Sequence, residues 1–219
     1  MGSGPVGLLG GTFDPIHLAH LRLAQEALDT CALAQVRFIP NAQPPHRSTP
    51  GVSAEHRFRM VELAIAGESR FLADDRELRR DAASYTVDTV ADLRKDLGAD
   101  RPLCLIVGAD AFALFDTWKR WEALLDAVHV IVATRPGSTT EPAGGDLRDH
   151  AARRRTTDPA DLSRSAAGRI YRLPITALDI SASAIRREFA AGRSPRYLLP
   201  DSVLGYIDSN HLYRSPDAG

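Results

Sequence analysis

The chain has 219 residues, 44% of them hydrophobic and 25% charged, with a formal net charge of −1. That balance is ordinary for a soluble globular chain long enough to bury a core, and it gives a nucleic acid no bulk positive charge to follow. No apolar run reaches the ~18 residues of a membrane span and the start carries no secretion signal, so no membrane partner is expected and the chain reads as cytoplasmic.

The pattern from the N-terminus alternates strands with helices. Val6–Leu9 is a short apolar run and reads as a strand. GGTFDPIHLAH, Gly10 to His20, follows it, and Leu18, Leu21, Ala24 and Leu28 then form a helical stripe. Val36–Ile39 is a second expected strand. Phe58, Val61, Leu63 and Ile65 lie in a second helix, and Val87, Val90, Leu93 and Leu97 in a third. Leu103–Val107 and Val128–Ala133 are further strands, and Cys104 inside the first of them reads as a buried thiol. Cys31 lies too far from it for a zinc or redox spacing. Pro136–Gly168, rich in Pro, Gly, Ser and Thr and then in charge, is an expected surface loop. Ile175–Ile180 reads as a last strand, ahead of a helical C-terminal part over about 181–210. The expected fold class is α/β, one domain over 1–219, doubly wound on a mostly parallel sheet.

In such sheets ligands bind beyond the carboxyl ends of the strands, which is where GGTFDPIHLAH stands. Gly10 and Gly11 let the backbone turn sharply and approach a ligand. Asp14 can cap the following helix, with Pro15 in its first turn. His17 and His20 then project from one side, where a helix N-terminus already favours an anion. The segment is neither a dinucleotide fingerprint nor a P-loop. Phosphate binding, plain capping and a histidine metal pair all stay open on these residues, although no Cys or Glu nearby completes a zinc set.

Leu178 to Gly192, LDISASAIRREFAAG, repeats the strand-to-helix design, with Ser181 and Ser183 able to cap and Arg186 in the first turns. The pair His17-Leu18-Ala19-His20 and Ile180-Ser181-Ala182-Ser183-Ala184-Ile185-Arg186 resembles the two motifs of the nucleotidyltransferase superfamily that carries HxGH early and ISSTxxR late. NAQPPHR, SYTVDTV, GADAFALFDTWKRW and RYLLPDSVLGYI extend the resemblance to the bacterial nicotinate mononucleotide adenylyltransferase family almost from end to end. Two residues depart from the pattern. Ala19 replaces the usual glycine of HxGH, and Arg47 stands where the family usually has lysine.

The resemblance implies a Rossmann-like nucleotidyltransferase fold and a reaction of ATP with nicotinate mononucleotide, supported by Mg²⁺, with no metal ligand assigned on the chain. It implies that Gly10, Gly11, Thr12, Phe13, His17, His20, Gly108, Asp110, Ile180, Ser181, Ser183 and Arg186 bind ATP. Of these, His17, His20 and Arg186 would serve catalysis. His46 and Arg47 would face the mononucleotide phosphate, Ser84, Tyr85 and Thr86 the nicotinate carboxylate, and Trp118 the pyridine ring. Nicotinamide mononucleotide as acceptor, or a nucleotide sensor without turnover, are the alternatives. Pantetheine-phosphate adenylyltransferases are shorter and lack a counterpart of SYT and Trp118, and no KMSK segment supports an aminoacyl-tRNA synthetase.

Overall fold

In a computed structural model, residues 4–42, 51–80, 84–135 and 145–214 are described. The continuous apolar runs form strands: β1 Val6–Gly11, β2 Gln35–Pro40, β3 Phe71–Ala73, β4 Leu103–Gly108, β5 His129–Thr134, β6 Arg155–Thr156 and β7 Ile170–Pro174. They build one seven-stranded sheet in the order β3-β2-β1-β4-β5-β7-β6. The pairings β1·β4, β4·β5, β5·β7 and β6·β7 are parallel, with Val6 opposite Leu103, Cys104 opposite His129 and Val130 opposite Ile170. Strands β4 and β5 are buried along almost their whole length, as a parallel sheet covered on both faces requires.

The helices are α1 Leu18–Thr30, α2 Ala54–Ile65, α3 Thr86–Leu97, α4 Ala109–Ala113, α5 Trp121–Ala127, α6 Gly145–Arg154, α7 Ala182–Ala190 and α8 Asp201–Ser209. The chain divides into two compact units. One comprises Met1–Gly10, Leu23–Arg37 and Tyr85–Ala177; the other comprises Gly11–Arg22, Phe38–Ser84 and Leu178–Gly219.

In the first unit, Val36, Leu93, Ile106 and Val130 sit in the core. A single guanidinium ties three segments there: Arg94 donates to the carbonyls of Ala99 and Arg101 in one loop, of Ala127 and of Ala166. His129, fully buried, is satisfied at both ring nitrogens, by Ser165 O at 2.8 Å and the Arg169 N–H at 3.1 Å. In the second unit, Phe38 lies between Phe13 (6.0 Å) and Phe71 (5.2 Å). Helices α2 and α8 are joined by His56 Nδ1 with the Tyr206 hydroxyl at 2.9 Å, and by Ser202 Oγ donating to Leu63 O at 3.1 Å.

Three expectations need correction. Ile175–Ile180 is not a strand, and Ile170–Pro174 takes that place as β7. The neighbouring strand β5 ends at Thr134, whose carbonyl accepts from Ile175 N–H at 3.0 Å, so no ladder continues beyond it. Thr176 instead binds the Glu26 carboxylate through its N–H (2.9 Å) and hydroxyl (2.5 Å). The expected loop over 136–168 contains the ten-residue helix α6, which buries Leu147 and Ala151, followed by β6 and a 3₁₀ turn over Pro159–Ser163. The part over 136–144 lies outside the described residues. Helix α1 begins at Leu18, so Asp14 and Pro15 precede it and Asp14 caps nothing there.

Candidate active site

The left-handed residue of the turn after β1 is Phe13, with φ +48°, rather than either glycine. Gly11 is needed for another reason: a Cβ there would meet the Phe13 ring at 3.1 Å. Gly10 is exposed with open space around the position of a Cβ, so the strand end can be approached closely. The turn is held from below by Arg57, only 1% exposed, whose Nη1 donates to Thr12 O (2.7 Å) and Nη2 to Ala42 O (3.0 Å). Burial lowers the Arg57 pKa, and the nearby Asp14 charge opposes that shift. Asn41 adds an N–H bond to Gly11 O at 3.0 Å and a side-chain contact to Thr12 Oγ1 at 3.5 Å.

His17 and His20 are brought face to face, ring centroids 3.7 Å apart and 22° from parallel. His17 is the residue before α1. Its N–H donates to His20 Nδ1 at 3.3 Å, which is one half of a capping box with histidine in the usual Glu or Gln place. An Nδ1 that accepts leaves the proton of the neutral ring on Nε2, so His20 presents an Nε2–H donor. Leu18 N–H bonds to Leu198 O at 3.0 Å, while His20 and Leu21 N–H turn back to His17 O. Among the described residues, the Ala19 N–H is the donor of this first turn left without a partner, and it adds to the positive end of the helix dipole. Burial lowers the His17 pKa to about 4. Burial first, and then His17, lower that of His20 to about 3. Both rings are therefore neutral near pH 7 in the nucleotide-free protein.

Asp14 and Arg186 meet across 172 residues of sequence: Arg186 Nη1 donates to the Asp14 carbonyl at 2.6 Å and stands 3.4 Å from its carboxylate. Ser181 caps α7, its hydroxyl accepting from Ala184 N–H at 3.2 Å, and lies 3.3 Å from the Ser183 hydroxyl. Ile180 is half-buried just before this cap. Ser84, buried, donates its hydroxyl to Glu77 O at 3.4 Å.

Gly108, Asp110, Tyr85, Thr86 and Trp118 belong to the first unit. Gly108 ends β4 and Asp110 is exposed in the first turn of α4. Tyr85 precedes α3 without a side-chain cap, and its carbonyl accepts from the N–H groups of Asp88 and Thr89; Thr86 opens the helix. Lys119 Nζ lies 4.0 Å from the centre of the Tyr85 ring and 3.4 Å from Asp88 Oδ2. Trp118 is half-buried and stacks on Phe115 at 4.8 Å. His46 and Arg47 lie outside the described residues.

Sequence reasoning missed Arg57 and the contact of Asp14 with Arg186. Arg57 was legible in principle, because the buried face of α2 is Arg57, Met60, Val61 and Ile65 rather than the stripe through Phe58 and Leu63. A cation at an i, i+3, i+4 core position is a signal of its own. Among the described residues, no group of three or more His, Cys, Asp or Glu could hold a metal ion.

The cytidylyltransferase-like family matches residues 8–188. A probable nicotinate-nucleotide adenylyltransferase of Pseudomonas aeruginosa (strain UCBPP-PA14) is 49% identical over 211 residues, covering 96% of this chain and 98% of that protein. One from Aeromonas salmonicida (strain A449) is 46% identical over 211 residues, again covering 96% and 98%. Among solved structures, the Plasmodium falciparum nicotinic acid mononucleotide adenylyltransferase complexed with NaAD superposes with a TM-score of 0.71. At 17% identity over 96% of this chain and 97% of that one, it shows the shared fold. With the motifs inside the matched span and the identity running almost end to end, the chain belongs to the cytidylyltransferase-like nucleotidyltransferases and, within them, to the nicotinate-nucleotide adenylyltransferase family.

Proposed function

We propose that the chain transfers the adenylyl group of ATP to nicotinate mononucleotide, giving deamido-NAD and pyrophosphate. An oxygen of the mononucleotide phosphate attacks the α-phosphorus of ATP. The bond from that phosphorus to the oxygen bridging to the β-phosphorus breaks, and its electron pair leaves with pyrophosphate. The nucleophile is already ionised near neutral pH, so the protein supplies alignment and charge stabilisation rather than a general base.

The observation that carries this reading is the stacked pair His17 and His20 at the N-terminus of α1, with one ring fixed as an Nε2–H donor. Gly10, Gly11, Thr12 and Phe13 form the turn beside it, and Ile180, Ser181, Ser183 and Arg186 supply a second set of donors. His17, His20 and Arg186 act on the reacting phosphates, with Arg186 on the departing pyrophosphate. Gly108 and Asp110 take the ribose side of ATP. Trp118 stacks on the pyridine ring, while Ser84, Tyr85 and Thr86 receive its carboxylate. Lys119 beside the Tyr85 ring supports an anionic acceptor, since its charge suits a carboxylate better than a carboxamide. His46 and Arg47 serve the mononucleotide phosphate.

A resident Mg²⁺ does not fit the side chains described: the ion wants hard oxygen ligands, and the Asp14 carboxylate is already occupied by three donors. We therefore assign the metal to the ATP phosphates and route no step through a protein-held ion. The reaction is placed in the cytoplasm, where a reducing milieu suits the buried free thiols Cys31 and Cys104.

Pyrophosphate release from Mg-ATP tests the reading, with nicotinate mononucleotide, nicotinamide mononucleotide or phosphopantetheine supplied separately. Fast release is expected with the nicotinate form alone. Faster release with either other acceptor overturns the substrate assignment, and none with any acceptor overturns the activity.

A further inference from the structure

Asp14 is only 4% exposed, and a buried carboxylate is costly unless its lone pairs are met. Its oxygens are met from three separate parts of the chain. Oδ1 accepts from the Tyr213 hydroxyl at 2.7 Å. Oδ2 accepts from the Gly51 N–H at 2.8 Å and faces Arg186 Nη1 at 3.4 Å. The shortest contact of Arg186 is to the Asp14 main-chain oxygen, at 2.6 Å.

This differs from the usual arginine–carboxylate pair, in which both edges of the fork take both oxygens. Here Tyr213 occupies Oδ1, so the carboxylate cannot turn to grip Arg186 with two bonds. Among the described residues, only Nη1 of Arg186 is engaged, and the side chain is 35% exposed. The rest of the guanidinium stays available to an anion. Tyr213 also holds the helix that carries Arg186: its ring stacks on Phe189, three residues further along α7, with centroids 6.0 Å apart. Gly51 is tightly fitted in the same cluster, where a Cβ would meet the Tyr213 ring at 3.2 Å and Arg186 Cδ at 3.4 Å. Burial and the Asp14 charge push the Tyr213 phenol far above its ordinary pKa, so the hydroxyl remains a donor at any working pH.

We propose that Asp14 and Tyr213 are positioning residues, Tyr213 acting through Asp14 to hold Arg186 by one edge and keep the other edge open for the leaving pyrophosphate. The inference rests on the reading of Arg186 under the proposed function, and its test separates the two. Inorganic pyrophosphate and nicotinate mononucleotide are titrated calorimetrically into the full chain and into Tyr213→Phe, Asp14→Asn and Arg186→Ala. Loss of one bond of this kind is worth about tenfold in affinity. Tyr213→Phe is therefore expected to weaken pyrophosphate binding about tenfold while mononucleotide affinity stays at its wild-type value. Asp14→Asn should do the same, and it replaces Tyr213→Phe as the readout if that variant fails to fold. Wild-type pyrophosphate affinity in both, with Arg186→Ala impaired, overturns the positioning role and leaves the site reading standing. Equal affinity in wild type and Arg186→Ala overturns both. A parallel loss of both ligands in the two variants assigns the pair to general stability and overturns the positioning role.

Discussion

Trp118, proposed to receive the pyridine ring, is already packed against a neighbouring aromatic. Its stack on Phe115, 25° from parallel, fixes the plane of the indole, and the residue remains half-buried rather than enclosed. An aromatic plane held in advance costs little entropy when a second ring lands on it. Replacing Trp118 by alanine is expected to weaken nicotinate mononucleotide by about 1–3 kcal/mol, roughly five- to 150-fold in Kd, with Trp118→Phe recovering most of the loss. Equilibrium titration of the mononucleotide checks this, and an unchanged Kd in the alanine variant returns the residue to a packing role. At this scale the sequence discloses what is local. His17 and His20 stack because they stand three positions apart across the start of α1, and that spacing is visible in the string. Asp14 with Arg186 and Asp14 with Tyr213 are 172 and 199 residues apart, so only tertiary closure brings them together. The turn at Phe13 misleads in the opposite direction, because two glycines draw attention while a phenylalanine adopts the left-handed backbone.

At the scale of elements, α7 lets the capping role of Ser181 be tested apart from its proposed role toward ATP. Ser181 has an extended backbone, and its hydroxyl accepts from Ala184 N–H at the start of the helix. Ser181→Ala should cost about 1 kcal/mol of stability, the usual worth of such a cap. Ser181→Asp keeps an acceptor at the same position, so stability should stay near wild type, while its added negative charge repels ATP phosphates. Urea unfolding and ATP titration of the two variants make the check. An alanine variant as stable as wild type removes the cap from the account, and undiminished ATP affinity in the aspartate variant removes Ser181 from the phosphate site. Helices α1, α3 and α7 and strands β1, β2, β4 and β5 were legible because each keeps one periodicity between turn signals. Strand β7 was not. Its apolar residues are interrupted by Arg172, whereas ITALDI just beyond reads more like a strand. What decides is the partner: β5 ends opposite Pro174, and a strand without a neighbour has no ladder to join. Helix α6 was hidden by charge, since only Leu147 and Ala151 of its ten residues are buried.

The whole molecule should register its buried histidines as acid sensitivity. The second unit encloses His17, whose pKa falls from the ordinary 6.5 to about 4, and His20, which falls to about 3; the first encloses His129, lowered by burial as well. A folded pKa below the unfolded one means that the unfolded chain binds protons first as pH falls, so stability rises with pH across that interval. The contribution is fully present above pH 6.5 and is lost as pH falls through the folded values, about 4 for His17 and about 3 for His20. Carboxylates begin to add their own loss below about pH 4.5, so the interval above it belongs to histidine. Across that interval His17 alone, 4% exposed, should contribute about 2 kcal/mol. Urea unfolding at pH 6.5, 5.5 and 4.5, without nucleotide, should show stability draining steadily. His17→Asn should flatten the dependence by about that amount, because asparagine has no proton to gain. A wild-type stability that does not change over the interval would mean that His17 and His20 are hydrated in solution, which would also remove the desolvated neutral pair from the argument for a phosphate cradle.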